Sequence, residues 1–391
     1  MDDGPNNASG VEAKGLLETR FTRRTLMKGA AVLAASSALG PLTTACGGTD
    51  DATTASGSPS AAGGKKGGIL RVGMVGGRAA DTADPNASET VVDDSILWMM
   101  YEGLMEYDTS LVPQLVLAEE VTPNADATKW TVRLKPDLLW SDATPLTADD
   151  VVFTMQRIVD PKNPLQGAPG LGGLKPSGIK KVDELTTEFT WDAPNVLFGT
   201  DGLTQRLVHI APKNFDPQNP VGSGPWKMTS FKPGQEFVYV RNENYHGEAP
   251  YLDGVTVVQF QDATARLNAL LDGQIDAMVE LPSSQIGLAE SSGMTTLRQK
   301  CGAVVNLCMN TSLKPYNDPR VRKAFRLIVD RQQVLSSVYS GAAWLANDMW
   351  SPFDPGYPKD IPQREQDLEQ AKALLKQAGY NNLTVELVAS D

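Results

Sequence analysis

The sequence predicts an α/β protein with more than one lobe, and three observations support this prediction. The chain has 391 residues, 41% hydrophobic and 21% charged, an ordinary globular composition with length for more than one core. The stretch Pro220–Asp276 predicts a glycine turn, a β-hairpin and a strand–helix–strand unit in succession. Strand and helix signals continue on both sides, so we interpret this stretch as the central block of one lobe, flanked by chain that builds others.

Turn and cap residues mark where the predicted strands and helix of the central block begin and end. The turn at Pro220–Trp226 needs φ angles that glycine and proline adopt easily. Pro233-Gly234 divides the following alternating run into the two strands of a hairpin. After a strand at Val255–Phe260, Asp262 is expected to cap a helix that Gly273 ends.

The chain before this block alternates between helix and strand signals. Asp93 or Asp94 is expected to cap a helix whose apolar stripe runs from Ile96 to Leu104. Thr147 and Asp150 have the spacing of a capping box before a second helix. Strands are predicted at Gly68–Met74, Trp130–Leu134, Ile179–Val182 and Glu188–Trp191.

The chain after the block predicts a strand at Ala303–Met309 and then helices that begin near Pro319, Asp330 and Gln366. A last strand, at Leu383–Val388, ends three residues before the sequence does. Because a strand with no later element to cover it leaves a sheet face bare, we expect the sequence to be C-terminally incomplete.

Residues 1–45 are interpreted as an export signal. Arg23 and Arg24 precede the Ala-rich run Gly29–Leu42, which is too short to span a membrane and resembles a twin-arginine signal. Cys46 then lies where a lipoprotein signal places the cysteine that becomes lipid-modified. Residues 46–67 are rich in Gly, Ser, Thr and Ala, and are predicted to be a flexible linker.

Two further cysteines leave their pairing open. Cys301 and Cys308 can form a disulfide in an exported protein. Their odd separation within one strand would place the side chains on opposite faces, which favours two unpaired buried cysteines.

Composition and motifs argue against several classes of function. The net charge of −12 disfavours nucleic acid as a partner. No Gly-x-Ser-x-Gly motif, P-loop or Cys/His cluster with metal-ligand spacing occurs, and His209 and His246 lie far apart without a nucleophile motif. Asp262 and Arg266, four residues apart, favour a helix-face salt bridge over catalysis. We therefore predict no enzyme activity, no metal site and no cofactor.

Several motifs occur together in a characteristic order. They are Pro145–Val151, Pro220–Trp226, Asn242–Tyr245, Asp262–Asp276 and Asn310–Ala324. In order and spacing they resemble the extracytoplasmic solute-binding proteins of ATP-driven (ABC) importers, in the peptide/nickel-binding group called family 5. The resemblance extends from Gly68 to the last residue.

The resemblance implies an α/β, periplasmic-binding-protein-like fold (type II, cluster C) with two main lobes, an extra small α+β domain and a hinge. Residues 68–107 and 219–300 would form lobe I, and residues 108–218 the small lobe II. Residues 301–391 would form a third lobe, incomplete here. The ligand would bind in a cleft between lobes that hinge motion closes.

The predicted cleft also suggests ligand contacts. A peptide bound through its main chain needs exposed backbone donors and acceptors. The candidates for this role are Val75, Gly76, Gly77, Val304, Asn306 and Leu307. Glu89 or Asp94 would bind an amine, and Arg206 would bind a carboxylate.

Signal, linker and motif order together predict a monomeric binding protein that is lipid-anchored at the outer face of the cytoplasmic membrane, or periplasmic. It would capture a small solute, foremost an oligopeptide, for the permease and ATPase subunits of an ABC importer. Two alternatives stay open, namely a secreted hydrolase of peptides or sugars and a ligand sensor without transport.

Overall fold

The computed structural model describes residues 65–77, 80–299, 304, 306–348, 352–353 and 356–387. The predicted signal with Arg23 and Arg24, the lipid-attachment residue Cys46, and Cys301 lie outside the described residues. No helix in the described ranges has the length and apolar character needed to span a bilayer.

Strands and helices alternate along the described chain. The strands are β1 (Ile69–Val75), β2 (Met105–Tyr107), β3 (Pro113–Leu115), β4 (Ala118–Pro123), β5 (Lys129–Leu134), β6 (Ile179–Lys181), β7 (Thr186–Thr190), β8 (Trp226–Lys232), β9 (Glu236–Arg241), β10 (Gly254–Phe260) and β11 (Ala277–Met278). The α-helices are α1 (Val91–Met100), α2 (Ala148–Ile158), α3 (Ala263–Leu271), α4 (Ile286–Ser291), α5 (Pro319–Ile328), α6 (Arg331–Ser337) and α7 (Leu368–Gln377).

The larger sheet has five strands in the order β11-β1-β10-β9-β8. β1 runs parallel to both β10 and β11, whereas β9 runs antiparallel to β8 and β10. The predicted hairpin is confirmed, because β8 and β9 pair across a turn in which Gly234 has a φ of +76°. β1 therefore lies between two strands that come from much later in the sequence.

Helix α1 packs on this sheet. Val92, Ile96 and Met100 of the helix form one buried cluster with Phe237 and Tyr239 of β9. The cluster places the N-terminus of α1 beside the loop that follows β1, where the side chain of Val92 approaches Gly76.

The cap of α1 is Thr90, so the prediction of Asp93 or Asp94 as the cap is wrong. The Asp93 N–H donates to Thr90 Oγ1 at 3.1 Å, and the Thr90 N–H donates to the Asp93 carboxylate at 3.1 Å. These reciprocal bonds are a capping box, in which the acidic residue occupies the third helical position and the threonine is the cap.

The smaller sheet has four antiparallel strands in the order β4-β5-β7-β6, with α2 packed against it. Val132 and Phe189 of the sheet share a buried core with Met155 of α2. The predicted capping box is confirmed, because the Thr147 N–H donates to Asp150 at 2.8 Å. In sequence, the residues of this second core come after β1 and before the other strands of the larger sheet.

The predicted ends of helix α3 are confirmed, whereas its predicted salt bridge is wrong. Asp262 accepts the Ala265 N–H at 2.8 Å, and Gly273 follows the helix with a φ of +70°. Arg266 is only 1% exposed and donates to the Glu280 carbonyl oxygen at 2.8 Å. Because the Asp262 carboxylate caps the helix while Arg266 lies on the buried face, the predicted pair does not form.

The chain after residue 304 is helical where it is regular. Leu327 of α5 and Ala371 of α7 pack in a small core. Residues 304, 306–310 and 383–387 form neither helix nor strand, so the strand predictions there are wrong. No strand in the described ranges lies beside these segments to complete a hydrogen-bond ladder, and an isolated strand gains no such bonds.

Cys308 has a free, exposed thiol, so the prediction that it is unpaired is confirmed and the prediction that it is buried is wrong. Its burial was inferred from a strand packed in a sheet. In the described part of the chain no sheet packs against residue 308, so its side chain has no core face there to occupy.

Candidate functional site

The end of β1 has a backbone conformation that favours glycine. Val75 is the last residue of the strand, and the Gly76 N–H donates to the Phe260 carbonyl oxygen at 3.0 Å. Gly76 and Gly77 have φ angles of +117° and +98°, and a Cβ on Gly77 would lie 2.2 Å from Gln259 Oε1. Open α/β sheets bind ligands at the carboxyl ends of their strands, and Val75–Gly77 lies at such an end.

A single carboxylate organises the loop between β1 and α1. The buried Asp93 accepts backbone N–H groups from Thr82 at 3.0 Å, and from Glu89 and Thr90 at 3.1 Å. These bonds hold Glu89 immediately before the helix, and its side chain is exposed. The predicted amine-binding residue therefore combines a fixed backbone with a solvent-accessible carboxylate.

The two other predicted charged contacts bind each other. Arg206 Nη1 forms an ion pair with Asp94 Oδ1, which also accepts a hydrogen bond from Ser88 Oγ at 2.5 Å. The side chains are 41% exposed for Arg206 and 27% exposed for Asp94. A ligand that used either charge would have to displace its partner, and that displacement would weaken its binding.

Two further side chains of the same loop, Asp84 and Asn86, attach it to the unit built on the smaller sheet. Arg157 of α2 forms an ion pair with Asp84. The buried Asn86 donates from Nδ2 to the carbonyl oxygens of Leu207 and His209, both at 3.0 Å. The sequence analysis missed these residues, because no local pattern links positions so far apart in the chain.

Both histidines face carboxylates. His246 Nε2 lies 2.9 Å from Glu102 Oε2, and His209 Nε2 lies 3.5 Å from Glu106 Oε1. Burial alone would raise the pKa of the Glu106 carboxyl, but the contact with His209 and a hydrogen bond from the Gly103 N–H hold that pKa below its ordinary value. The contacts connect residues 102–106 with two distant loops, which is a structural role rather than a nucleophilic one.

The remaining predicted ligand residues, Val304, Asn306 and Leu307, lie apart from this group. They are exposed, and no hydrogen bond or ion pair in the described ranges connects them to the loop after β1. The structure therefore brings six predicted residues to the N-terminal end of α1 and leaves three separate. The six are Val75, Gly76, Gly77, Glu89, Asp94 and Arg206.

Two open grooves lie elsewhere on the chain. The larger, of about 690 Å³, is lined by residues 361–369 with Leu327, and the smaller, of about 510 Å³, lies beside β8 and β9. Neither is lined by a predicted ligand residue. The described residues contain no cluster of His, Cys, Asp and Glu suited to a metal ion.

A family model and curated relatives match this chain. The model described as "Bacterial extracellular solute-binding proteins, family 5 Middle" matches residues 112–389. The peptide transport periplasmic protein SapA of Salmonella typhimurium is 26% identical over 77% of this chain and 60% of SapA. The oligopeptide-binding protein AppA of Bacillus subtilis is 28% identical over 81% of this chain and 60% of AppA. The chain thus spans about 60% of the length of these relatives.

A solved structure agrees with these matches. The binding protein AgaA from A. tumefaciens R10, in complex with agropinic acid, aligns with a TM-score of 0.69 and 27% identity. The alignment covers 81% of this chain and 65% of AgaA.

Proposed function

Because the chain belongs to family 5 of the bacterial extracellular solute-binding proteins, we propose that it captures a small solute and delivers it to the permease and ATPase subunits of an ABC importer. The predicted α/β binding-protein fold is confirmed by the similarity to AgaA. The family consists of binding proteins rather than enzymes, so the alternative of a secreted hydrolase is withdrawn.

An oligopeptide is the proposed ligand, and the arrangement around α1 is the observation that carries this proposal. The Gly76 N–H is already bonded to the Phe260 carbonyl oxygen, so the ligand would pair with the other main-chain groups of Val75–Gly77 at the end of the strand, which suits a ligand recognised through its own backbone. Asp94 and Arg206 neutralise each other, so recognition here depends less on charged ligand groups. The printed names of SapA and AppA, a peptide transport and an oligopeptide-binding protein, agree with this ligand class.

The proposed contacts divide by chemistry. The backbones of Val75, Gly76 and Gly77 would pair with the ligand main chain, with Val304, Asn306 and Leu307 supplying a second set when the cleft closes. Glu89 would bind a ligand amine. Asp94 and Arg206 would contact the ligand only if their ion pair opens.

The proposed location follows from the N-terminal sequence. Arg23 and Arg24 would direct export, and a lipid on Cys46 would hold the protein at the outer face of the cytoplasmic membrane. The periplasmic relatives agree with an exported protein. We propose a monomer whose partners are the importer subunits and the membrane, with no nucleic acid.

A second ligand class is a non-peptide organic solute. The observation that favours it is AgaA, because that structure contains agropinic acid rather than a peptide. A sensor that binds the same solute without transport would use the same contacts.

The test is to purify the protein from its native membrane and to identify the released ligand by mass spectrometry. Peptides are the expected result, and their recovery should fall when Gly77 is replaced by alanine. The matched control is Gly287→Ala, a glycine with open space around its Cβ position. Recovery of a metal chelate or sugar with no peptide would overturn the oligopeptide proposal.

A further inference from the structure

Three arginines in the helical region after residue 304 converge on one carboxylate. Arg331 Nη2 lies 2.6 Å from Asp348 Oδ1, and Arg364 donates to Asp348 Oδ2 from Nε at 2.6 Å and Nη2 at 2.5 Å. Arg326 Nη1 is 3.8 Å from Oδ2, too far for a hydrogen bond. We call Arg326, Arg331, Arg364 and Asp348 the Asp348 cluster.

The Asp348 cluster has more positive than negative charge. Burial alone would raise the pKa of the Asp348 carboxyl, but hydrogen bonds from Arg364 and Arg331 hold it below its ordinary value, so the carboxylate is ionised at neutral pH. Arginine stays protonated in proteins. Within the described ranges no other carboxylate forms an ion pair with these arginines, which leaves two uncompensated positive charges.

Within the described residues, two arginines of the cluster also have donor groups without a hydrogen-bond acceptor. Arg331 Nη1 is buried and has no hydrogen-bond partner in the described part of the chain. Arg326 is 51% exposed and donates no hydrogen bond there. A buried, charged donor without an acceptor costs free energy, and this cost falls when an oxygen of a bound group reaches it.

We propose that the Asp348 cluster binds a single oxyanion group, a carboxylate or a phosphate, at a site that includes none of the predicted ligand residues. The fork of donors on a guanidinium suits the paired oxygens of such groups. Arg364 also lines the groove of about 690 Å³, which gives room for the rest of the ligand. The other charged residues of this groove, Glu365, Asp367 and Glu369, are acidic, so the site disfavours a polyanion.

A purely structural role makes a different prediction. If the arginines only fix the loop around Asp348 to α5 and α6, removing the carboxylate charge would loosen the loop and create no affinity for anions. If the cluster is an anion site, the carboxylate competes with the ligand, and removing its charge would tighten binding.

The experiment measures binding of inorganic phosphate and, separately, of N-acetyl-aspartate amide to the full chain by calorimetry at constant ionic strength. Arg326→Gln should weaken binding about tenfold, because it removes a cation whose one ion-pair contact within the described residues is the 3.8 Å approach to Asp348. Asp348→Asn should tighten binding about fivefold or more. The probe that binds more tightly shows whether the site prefers a phosphate or a carboxylate.

The matched control is Arg298→Gln, which removes the same charge from an exposed arginine paired with Glu290 at 3.2 Å. It should leave anion binding unchanged, and circular dichroism should show that each variant is folded. Absence of saturable binding, or equal losses in Arg326→Gln and Arg298→Gln, would overturn the proposal. Because the Arg326 ion pair seen among the described residues is long, at 3.8 Å, the Arg326→Gln variant tests the site even if Asp348→Asn does not fold.

Discussion

Replacing Asn86 by alanine is expected to destabilise the junction between the two sheet units by about 2 to 4 kcal/mol. The side chain is fully buried and donates to the carbonyl oxygens of Leu207 and His209, both at 3.0 Å. Each lost hydrogen bond contributes about 1 kcal/mol, and a buried carbonyl left without a donor adds about 1 kcal/mol or more. No other donor in the described ranges reaches these two oxygens, so the losses should add.

Native-state hydrogen exchange is the suitable assay, because a protein with several cores need not unfold in one step. The reporter is the Ile210 N–H, which donates to the Glu102 carbonyl oxygen at 2.9 Å across the same junction. A loss of about 2 kcal/mol corresponds to about thirtyfold faster exchange at this amide.

The control is Asn219→Ala, which removes an exposed asparagine with one side-chain bond, to Asp216 at 2.8 Å. It should change exchange at Ile210 by less than about twofold. If Asn86→Ala and Asn219→Ala accelerate this amide equally, the reasoning that Asn86 holds the junction is refuted.

Three further predictions concern the ligand loop, the buried carboxylate and the anchor. Gly77→Ala should lower stability by about 1 to 3 kcal/mol because of its positive φ, whereas Gly287→Ala should be neutral or stabilising; thermal melts would contradict this if both behave alike. Glu106 has a lowered folded pKa, so it stabilises the fold above its unfolded pKa of about 4.3 and this contribution is lost as the pH falls through the folded pKa. Glu106→Gln, which leaves His209 without its carboxylate, should therefore lower the melting temperature at pH 6 more than at about pH 3.5; an equal loss at both would contradict this. Cys46→Ala should abolish labelling by a radioactive fatty acid in intact cells, and unchanged labelling would remove the proposed anchor.

Local patterns predicted the parts of the fold that depend on neighbouring residues. The cap at Asp262, the stop at Gly273 and the turn at Gly234 each follow from the φ preference or the reach of one side chain. The same reasoning placed the cap of α1 three or four residues too late, because a threonine and an aspartate in a capping box both have cap-forming side chains.

Contacts between distant segments were not predictable in this way. Residues 304–309 have the apolar composition of a buried strand, but a strand also needs a neighbour, and the described part of the chain provides none. The predicted ligand charges Asp94 and Arg206 were identified without any sign that they pair. Arg266 likewise has the spacing for a surface salt bridge, yet it lies on the buried face of α3.

The parallel pairing of β1 with β10 has a consequence for synthesis on the ribosome. Gly68 and Asp253, which share a hydrogen bond of 2.9 Å beside the first pair of this ladder, are 185 positions apart. At about 5 to 20 residues per second, β1 leaves the ribosome about 10 to 40 seconds before its partner. The unit on the smaller sheet is complete in that interval and can fold first. The larger sheet then closes after the smaller one, and until it does the apolar side chains of β1 need a chaperone or the nascent chain to cover them.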